Sequence, residues 1–103
     1  MKQKDNYNYL INMNIFDRNY KAVVNRGLIT KRTKNAEFYF KLIEECDEAV
    51  TEMLKGDFKK MDLEIADVMV VCSNWLIHRG VNIEYILTKI AEKNEKRAKK
   101  KLH

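Results

Sequence analysis

The sequence predicts an all-α fold, a bundle of about four helices. The 103 residues include no proline and only three glycines, so few positions would interrupt a helix. Apolar residues recur at helical spacing in four successive segments. Gly27, Gly56 and Gly80 separate these segments, and glycine is common just after the end of a helix. Together these observations favour helices joined by short turns.

Length and composition describe one small domain. Hydrophobic residues make up 46% of the chain and charged residues 34%, the balance of an ordinary globular protein. A monomer of this length buries only about two thirds of its unfolded surface, so we expect the chain to form oligomers. The net charge is +5, but residues 96–101 supply much of it, so the basic character is local.

The cysteines and the apolar runs indicate a cytoplasmic protein. Cys46 and Cys72 lie within apolar helical patterns and lack metal-ligand spacing, so we predict small core residues in a reducing compartment. The opening residues 1–13 are polar and do not resemble a signal peptide. The longest apolar run, residues 68–72, is too short to cross a bilayer, so no membrane association is expected.

The chain divides into an N-terminal arm and one helical domain. Residues 1–13 show no clear periodicity and are assigned to the arm, and residues 14–103 form the domain. A first helix is predicted from Asn14 to Asn25. The loop from Leu28 to Lys34 follows, with Thr33 as a candidate cap. This loop is basic, and both solvation and contact with an anionic ligand would explain its charge.

The second helix is predicted from Asn35 to Lys55 and carries a first pair of acids. Glu45 and Glu48 lie three residues apart, which places both carboxylates on one side of a helix, at the flank of its apolar stripe. Acids in such a position are commonly solvated, so this helix alone does not indicate a site.

The third helix, predicted from the capping residue Asp57 to about Arg79, carries a second pair. Its apolar residues point in nearly every direction, so we expect it to be central and mostly buried. The polar residues that share one sector about 80° wide are Glu64, Asp67, Asn74 and His78. Acids confined to one stripe of a buried helix require a partner charge.

Two acid pairs on adjacent antiparallel helices would bring four carboxylates together. Carboxylates that lie so close repel one another, and a hard dication such as Mg²⁺ would relieve that repulsion. Arginine side chains of the following helix are the alternative partners. We interpret His78 as a hydrogen-bonded residue at a helix end rather than as a metal ligand.

The fourth helix is predicted from Ile83 to Lys100, with Asn82 as its cap. Lys89, Lys93 and Arg97 recur every four residues and define a basic row along this helix. The row is either a solvated face or a set of contacts for phosphate oxygens.

Three motifs in this order resemble a known family. Glu45-x-x-Glu48 is followed by Glu64-x-x-Asp67 within a hydrophobic helix, and then by Lys93-Asn94-x-x-Arg97 after a glycine turn. This arrangement resembles the all-α MazG-like nucleoside triphosphate pyrophosphohydrolases over residues 14–100. One acidic pair occurs in many helices, but the ordered set is far more specific.

The resemblance implies a site and an assembly. The implied ligands for Mg²⁺, or for Mn²⁺ in its place, are Glu45, Glu48, Glu64 and Asp67. The implied substrate contacts are Lys93 and Arg97 for the phosphates and Asn94 for the base or sugar. Asn74 and Trp75 are further candidate base contacts, although a core or interface role also explains Trp75. Family members commonly form dimers or tetramers, with the site built partly at a subunit interface.

The implied reaction converts a nucleoside or deoxynucleoside triphosphate and water to the monophosphate and pyrophosphate. Attack on the α-phosphorus needs a positioned water and neutralisation of the triphosphate charge. A metal ion can activate that water, and Glu45 or Glu48 is the candidate base for its proton. The sequence has neither a glycine-rich phosphate loop nor a Ser/His/Asp set, which argues against P-loop and covalent mechanisms.

Two other classes of function stay open. A non-catalytic helical interaction module would pair the acids with the basic row, and its stability would not respond to metal. A nucleic-acid-binding helical protein would use the lysine-rich tail, and its affinity would fall steeply with salt. The acids would have no role in that second class, so nucleic acid is the less expected partner. The residues do not distinguish the preferred nucleotide, the number of metal ions, or a dimer from a tetramer.

Overall fold

A computed structural model describes residues 13–101, and this part of the chain contains four α-helices and no strand. The helices are α1 (Ile15–Asn25), α2 (Asn35–Lys55), α3 (Phe58–His78) and α4 (Ile83–Lys101). Each agrees with its predicted range to within about two residues, which confirms the all-α fold. The predicted N-terminal arm lies outside the described residues except for Met13. None of the four helices is long and apolar enough to span a membrane.

Local side-chain caps explain where three of the helices begin. The Asn14 side chain accepts a hydrogen bond from the Asp17 backbone N–H at 2.8 Å, and Asp57 accepts one from Lys60 at 3.2 Å. The Asn82 side chain accepts from the Tyr85 N–H at 3.0 Å in the same way. These short polar residues satisfy donors that the first turn of a helix leaves free.

The start of α2 corrects one prediction. Thr33 does not cap this helix, because its hydroxyl oxygen accepts from the Thr30 backbone N–H at 2.9 Å within the preceding loop. The helix begins at Asn35, as predicted, and its capping position is Lys34, whose backbone N–H donates to the Glu37 carboxylate at 2.6 Å. The loop therefore uses Thr33 to hold its own turn.

The pair α2 and α3 forms an antiparallel hairpin that makes the most extensive packing in the chain. The two helices are joined through Gly56, which has a φ of 77°. Only glycine adopts this left-handed conformation without steric cost, and it lets the chain reverse within two residues. The hairpin places the flank of α2 that carries the first acid pair opposite Glu64 on α3.

Helix α1 packs against α3, and the end of α3 ties the two together. The His78 Nε2 atom lies 2.9 Å from the Thr33 carbonyl oxygen, so Nε2 carries the proton and donates it. The Nδ1 atom then accepts from the Tyr20 hydroxyl at 3.1 Å. His78 is thus the hydrogen-bonded residue that the sequence predicts at this helix end. It joins α1, the basic loop and α3, which surround the candidate site.

The expected burial of α3 holds for only part of the helix. Val71, Ser73 and Asn74 are buried, but Leu63 is 68% and Met69 60% exposed. The prediction is wrong for Leu63 and Met69 because α1, α2 and the start of α4 cover only one side of α3 in a single chain. Apolar residues on all sides of a helix predict burial, but they do not specify which neighbouring helix covers each side.

The cysteines also depart from prediction. Cys46 is exposed on α2, so it is not the core residue that its apolar surroundings predict. Cys72 is half-buried on α3, and burial raises the pKa of its thiol. Both are free thiols in this structure.

Candidate active site

Three carboxylates converge between α2 and α3. Oxygens of Glu45, Glu48 and Glu64 all lie within 4.8 Å of one another, and we call these three residues the acid cluster. Glu45 and Glu48 share a face of α2 because they are three residues apart. Glu64 faces them from α3 across the hairpin. The spacing of the acids predicts that four carboxylates converge, these three and Asp67, and the structure brings the three together.

The acid cluster contains carboxylate oxygens that lack partners. Glu45 is only 8% exposed, and its Oε2 atom is buried with no hydrogen-bond partner in the described chain. The Oε2 atom of Glu64 is also buried with no hydrogen-bond partner among the described residues. Buried polar atoms are nearly always satisfied in folded proteins, so two such oxygens within one cluster indicate that a ligand or ion is their partner.

The electrostatics of the acid cluster agree with this description. Hydrogen bonding with Glu48, together with burial and the charges of Glu48, Asp67 and Glu45, raises the pKa of Glu64 to about 7. A proton therefore partly relieves the repulsion between these carboxylates near neutral pH. Oxygen donors that repel one another in this way suit a hard dication, and the residues present fit Mg²⁺ or Mn²⁺.

Asp67 occupies a different position from the other three acids. It lies one turn beyond Glu64 on α3 but is not among the residues whose oxygens converge within 4.8 Å. Its side chain is exposed and lines a neighbouring cavity. Its charge still acts on Glu64, because it contributes to the raised pKa of that residue.

The ion pairs of the acid cluster involve a lysine rather than an arginine. In the described part of the chain, Lys41 is the one basic residue paired with a member of the acid cluster, at 3.1 Å from its Nζ atom to Glu45 Oε1. The same Nζ atom lies 3.5 Å from Glu44 Oε2, and its hydrogen bond to Glu45 raises the pKa of Lys41. The sequence interpretation missed Lys41, although the four-residue spacing from Glu45 is a recognisable signal.

A cavity of about 580 Å³ opens beside the acid cluster, within the size range of small-molecule sites. It lies between α1, the basic loop, α2 and α3. The polar residues on its wall are Asn19, Arg26, Thr33, Glu37, Lys41, Glu45, Asp67 and Asn74, and the apolar ones include Val23, Ile29, Phe38 and Val71. Sequence reasoning missed most of these, since no spacing rule links α1 to α3.

Asn74 is the predicted substrate contact that the structure places in this cavity. Its side chain is only 4% exposed, and the Oδ1 atom is buried without a hydrogen-bond partner within residues 13–101. A buried amide oxygen on a cavity wall is available to a donor group of a ligand.

Trp75 lies one layer behind the cavity wall. Its ring stacks on Phe38, with 6.1 Å between the ring centroids and 7° between the planes. The indole N–H donates to the Asn35 side-chain oxygen at 2.9 Å. Phe38 lines the cavity and Trp75 does not, although Phe38 is only 5% exposed and its ring has both Trp75 and His78 against it.

The basic row lies elsewhere. Lys93 and Arg97 are exposed on α4, where they line a separate groove of about 440 Å³, and Asn94 is exposed on the same helix. No residue of α4 lines the cavity beside the acid cluster. A single chain therefore does not bring these three predicted contacts together with the carboxylates. The basic row also does not neutralise the acids, because its ion pair within the described residues joins Lys89 to Glu92.

Comparison with known families identifies this arrangement. The model of the MazG nucleotide pyrophosphohydrolase domain matches residues 34–102, more than half of the chain. The chain belongs to the MazG family. The matched range contains the acid cluster and the basic row, whereas α1 lies before it. Family membership supports nucleotide pyrophosphohydrolase activity in general and a nucleotide as the substrate. No curated protein and no solved structure matches the chain.

Proposed function

We propose that this MazG protein hydrolyses a nucleoside or deoxynucleoside triphosphate to the monophosphate and pyrophosphate, and that it does so with a divalent cation. The observation that carries this proposal is the acid cluster, whose buried oxygens lack partners at the edge of a ligand-sized cavity. Neither a purely structural acid pair nor a solvated helix face explains both features together.

The proposed cation is Mg²⁺, with Mn²⁺ as a substitute, and its proposed ligands are Glu45, Glu48, Glu64 and Asp67. Glu45, Glu48 and Glu64 already converge, and Asp67 lies on the adjoining cavity wall. When bound, such a cation neutralises phosphate charge and makes a bound water more acidic.

The cavity would hold the nucleoside part of the substrate. Phe38 contributes apolar surface to the cavity wall, and the Oδ1 atom of Asn74 offers an acceptor for a donor group of the base or sugar. Trp75 would support Phe38 from behind, and this arrangement replaces the direct base contact that the sequence suggests for it. A nucleoside seated here would place its phosphates toward the acid cluster.

The reaction requires one proton acceptor close to the attacking water. The water oxygen forms a bond to the α-phosphorus while the bond from that phosphorus to the bridging oxygen of pyrophosphate breaks. The proton of the water passes to a carboxylate, and Glu48 or Glu45 is the proposed base. Glu48 is the more exposed of the two, so water reaches it more readily.

The phosphate contacts Lys93 and Arg97, and the sugar or base contact Asn94, would come from a second copy of the chain. Large apolar side chains on α2 and α3 are exposed in a single chain, including Phe40 at 67% and Leu63 at 68%. Exposed apolar area of this kind favours self-association. A homodimer or homotetramer could then carry the basic row of one subunit toward the acid cluster of another.

The test is pyrophosphate release from a panel of canonical and modified triphosphates, with and without Mg²⁺. We expect metal-dependent release that falls by about 10²-fold or more in Glu48→Gln and in Glu64→Gln. Asp62→Asn is the matched control, because Asp62 is an exposed acid of α3 outside the acid cluster. Its rate should equal that of the unmodified protein.

The same experiment separates the alternatives. An interaction module would release no pyrophosphate from any nucleotide, and its melting temperature would not change with Mg²⁺. A nucleic-acid-binding protein would also be inactive, but it would bind oligonucleotides with an affinity that falls steeply as salt rises.

A further inference from the structure

Lys41 connects the acid cluster to the cavity. Its ammonium group lies 3.1 Å from Glu45 Oε1 and 3.5 Å from Glu44 Oε2, and its side chain also lines the cavity wall. Of these two acids only Glu45 belongs to the acid cluster. The lysine therefore stands at the boundary between the proposed metal ligands and the proposed nucleotide pocket.

Among residues 13–101, Lys41 provides the positive charge that is paired with the acid cluster. Glu45 carries one oxygen bound to Lys41 and a second that is buried without a partner. A dication among these carboxylates would lie close to the ammonium group. Because like charges repel, a cation that binds Glu45 competes with Lys41 for the same carboxylate.

Lys41 can leave this pair only when another cation takes its place, because the Glu45 side chain is 10% exposed and its carboxylate would otherwise be buried without a partner charge. The Lys41 side chain is 53% exposed, so rotation of its four-carbon stem meets few neighbours. Its other partner, Glu44, is 57% exposed, and ion pairs between exposed side chains contribute little to stability. Because the lysine lines the cavity, an anionic ligand bound there would lie within reach of its ammonium group.

We infer that Lys41 is a tethered cation that competes with the metal ion in the free protein and binds the substrate's phosphates once the metal ion is present. This inference rests on the proposed function. It predicts that the free protein binds a divalent cation weakly, and that cation and triphosphate strengthen each other's binding. The protein would then take up the metal together with the nucleotide.

The experiment measures two affinities in the absence of turnover. The first is the affinity for Mn²⁺ alone, from the loss of the free-ion signal in electron paramagnetic resonance. The second is the affinity for inorganic triphosphate at saturating Mn²⁺, by calorimetry. In Lys41→Met we expect Mn²⁺ to bind about fivefold more tightly and triphosphate about tenfold more weakly.

Two variants control for charge and for folding. Lys41→Arg keeps the positive charge, so its Mn²⁺ affinity should stay close to that of the unmodified protein. Lys55→Met removes a lysine from the same helix, one that pairs with Glu52 at 3.8 Å outside the acid cluster, and should change neither affinity. Thermal melting of all variants confirms that they are folded.

Different results overturn different claims. If Mn²⁺ binds and Glu64→Gln abolishes this binding, but Lys41→Met leaves either affinity unchanged, the inference about Lys41 is wrong and the proposed function stands. If the unmodified protein shows no Mn²⁺ binding that depends on Glu64, both fail. A tighter Mn²⁺ complex with weaker triphosphate binding supports both.

Discussion

The two halves of the proposed site differ in how the chain builds them. The acid cluster lies between α2 and α3, helices that are adjacent in sequence and joined by a two-residue turn, and its members converge within 4.8 Å. The basic row lies on α4, exposed and without contact to the cavity. A hairpin positions side chains through local sequence, whereas within the described part of one chain nothing brings the basic row to the cavity.

The largest expected effect tests whether the two halves come from different subunits. Glu64→Gln removes a member of the acid cluster, and Arg97→Ala removes a phosphate contact, so each should lower kcat/KM by about 10²-fold. If the site combines α4 of one subunit with the hairpin of another, a mixture of the two inactive variants contains some sites with neither substitution. We therefore expect activity to return when the variants are mixed and allowed to exchange subunits.

The control for this experiment is a mixture of Glu64→Gln with Glu48→Gln. Both substitutions lie on the hairpin, so every mixed site retains at least one defect and activity should not return. A failure of Glu64→Gln and Arg97→Ala to complement, despite subunit exchange shown by mass spectrometry, would place both halves within one chain.

A smaller effect is expected on the cavity wall. Asn74→Ala removes a buried, unpartnered amide oxygen, so we expect KM for the nucleotide to rise about tenfold with little change in stability. Ser73→Ala is a matched control, because Ser73 is equally buried but its hydroxyl donates to the Val70 carbonyl and does not line the cavity. Steady-state kinetics should show the change in the first variant alone. Equal changes in both would mean that Asn74 acts through packing.

The acid cluster should also make the stability of the metal-free protein depend on pH. The pKa of Glu64 lies at about 7 in the folded chain, above the ordinary carboxyl value of 4.5. Between these values the folded state holds a proton that the unfolded state has released, so raising the pH through this window lowers the free energy of unfolding. The contribution is complete below pH 4.5 and is lost as the pH passes 7.

Thermal melts with a chelator between pH 4.5 and 8 measure this dependence. Glu64→Gln should flatten it, because glutamine does not titrate, whereas Asp62→Asn should preserve it. Added Mg²⁺ should stabilise the protein most at the high end of the range, where the carboxylates are ionised. An identical pH dependence in Glu64→Gln and the unmodified protein would contradict the assignment.

Sequence reasoning predicted the helices and the three members of the acid cluster because both depend on local rules, although it also expected Asp67 to converge with them. Caps such as Asn14, Asp57 and Asn82 mark helix starts within four residues of chain, and acid pairs three apart share a helix face. The cavity escaped prediction because Arg26 and Phe38 meet only after α1 packs across α3. Spacing within one helix carries no information on such contacts.

The smallest expected effect follows from substitution of Trp75. Its indole N–H donates to Asn35 at 2.9 Å, while its ring stacks on Phe38, which alone of the two lines the cavity. Trp75→Phe keeps an aromatic ring but removes the donor, so we expect a loss of about 1 kcal/mol in the free energy of unfolding. The KM for nucleotide should change less than about twofold, because Phe38 remains in place.

Chemical denaturation and steady-state kinetics check the two values, with Tyr39→Phe as the control for an exposed aromatic residue of α2. A large rise in KM with unchanged stability would instead mean that Trp75 contacts the base directly, the role for which the sequence makes it a candidate.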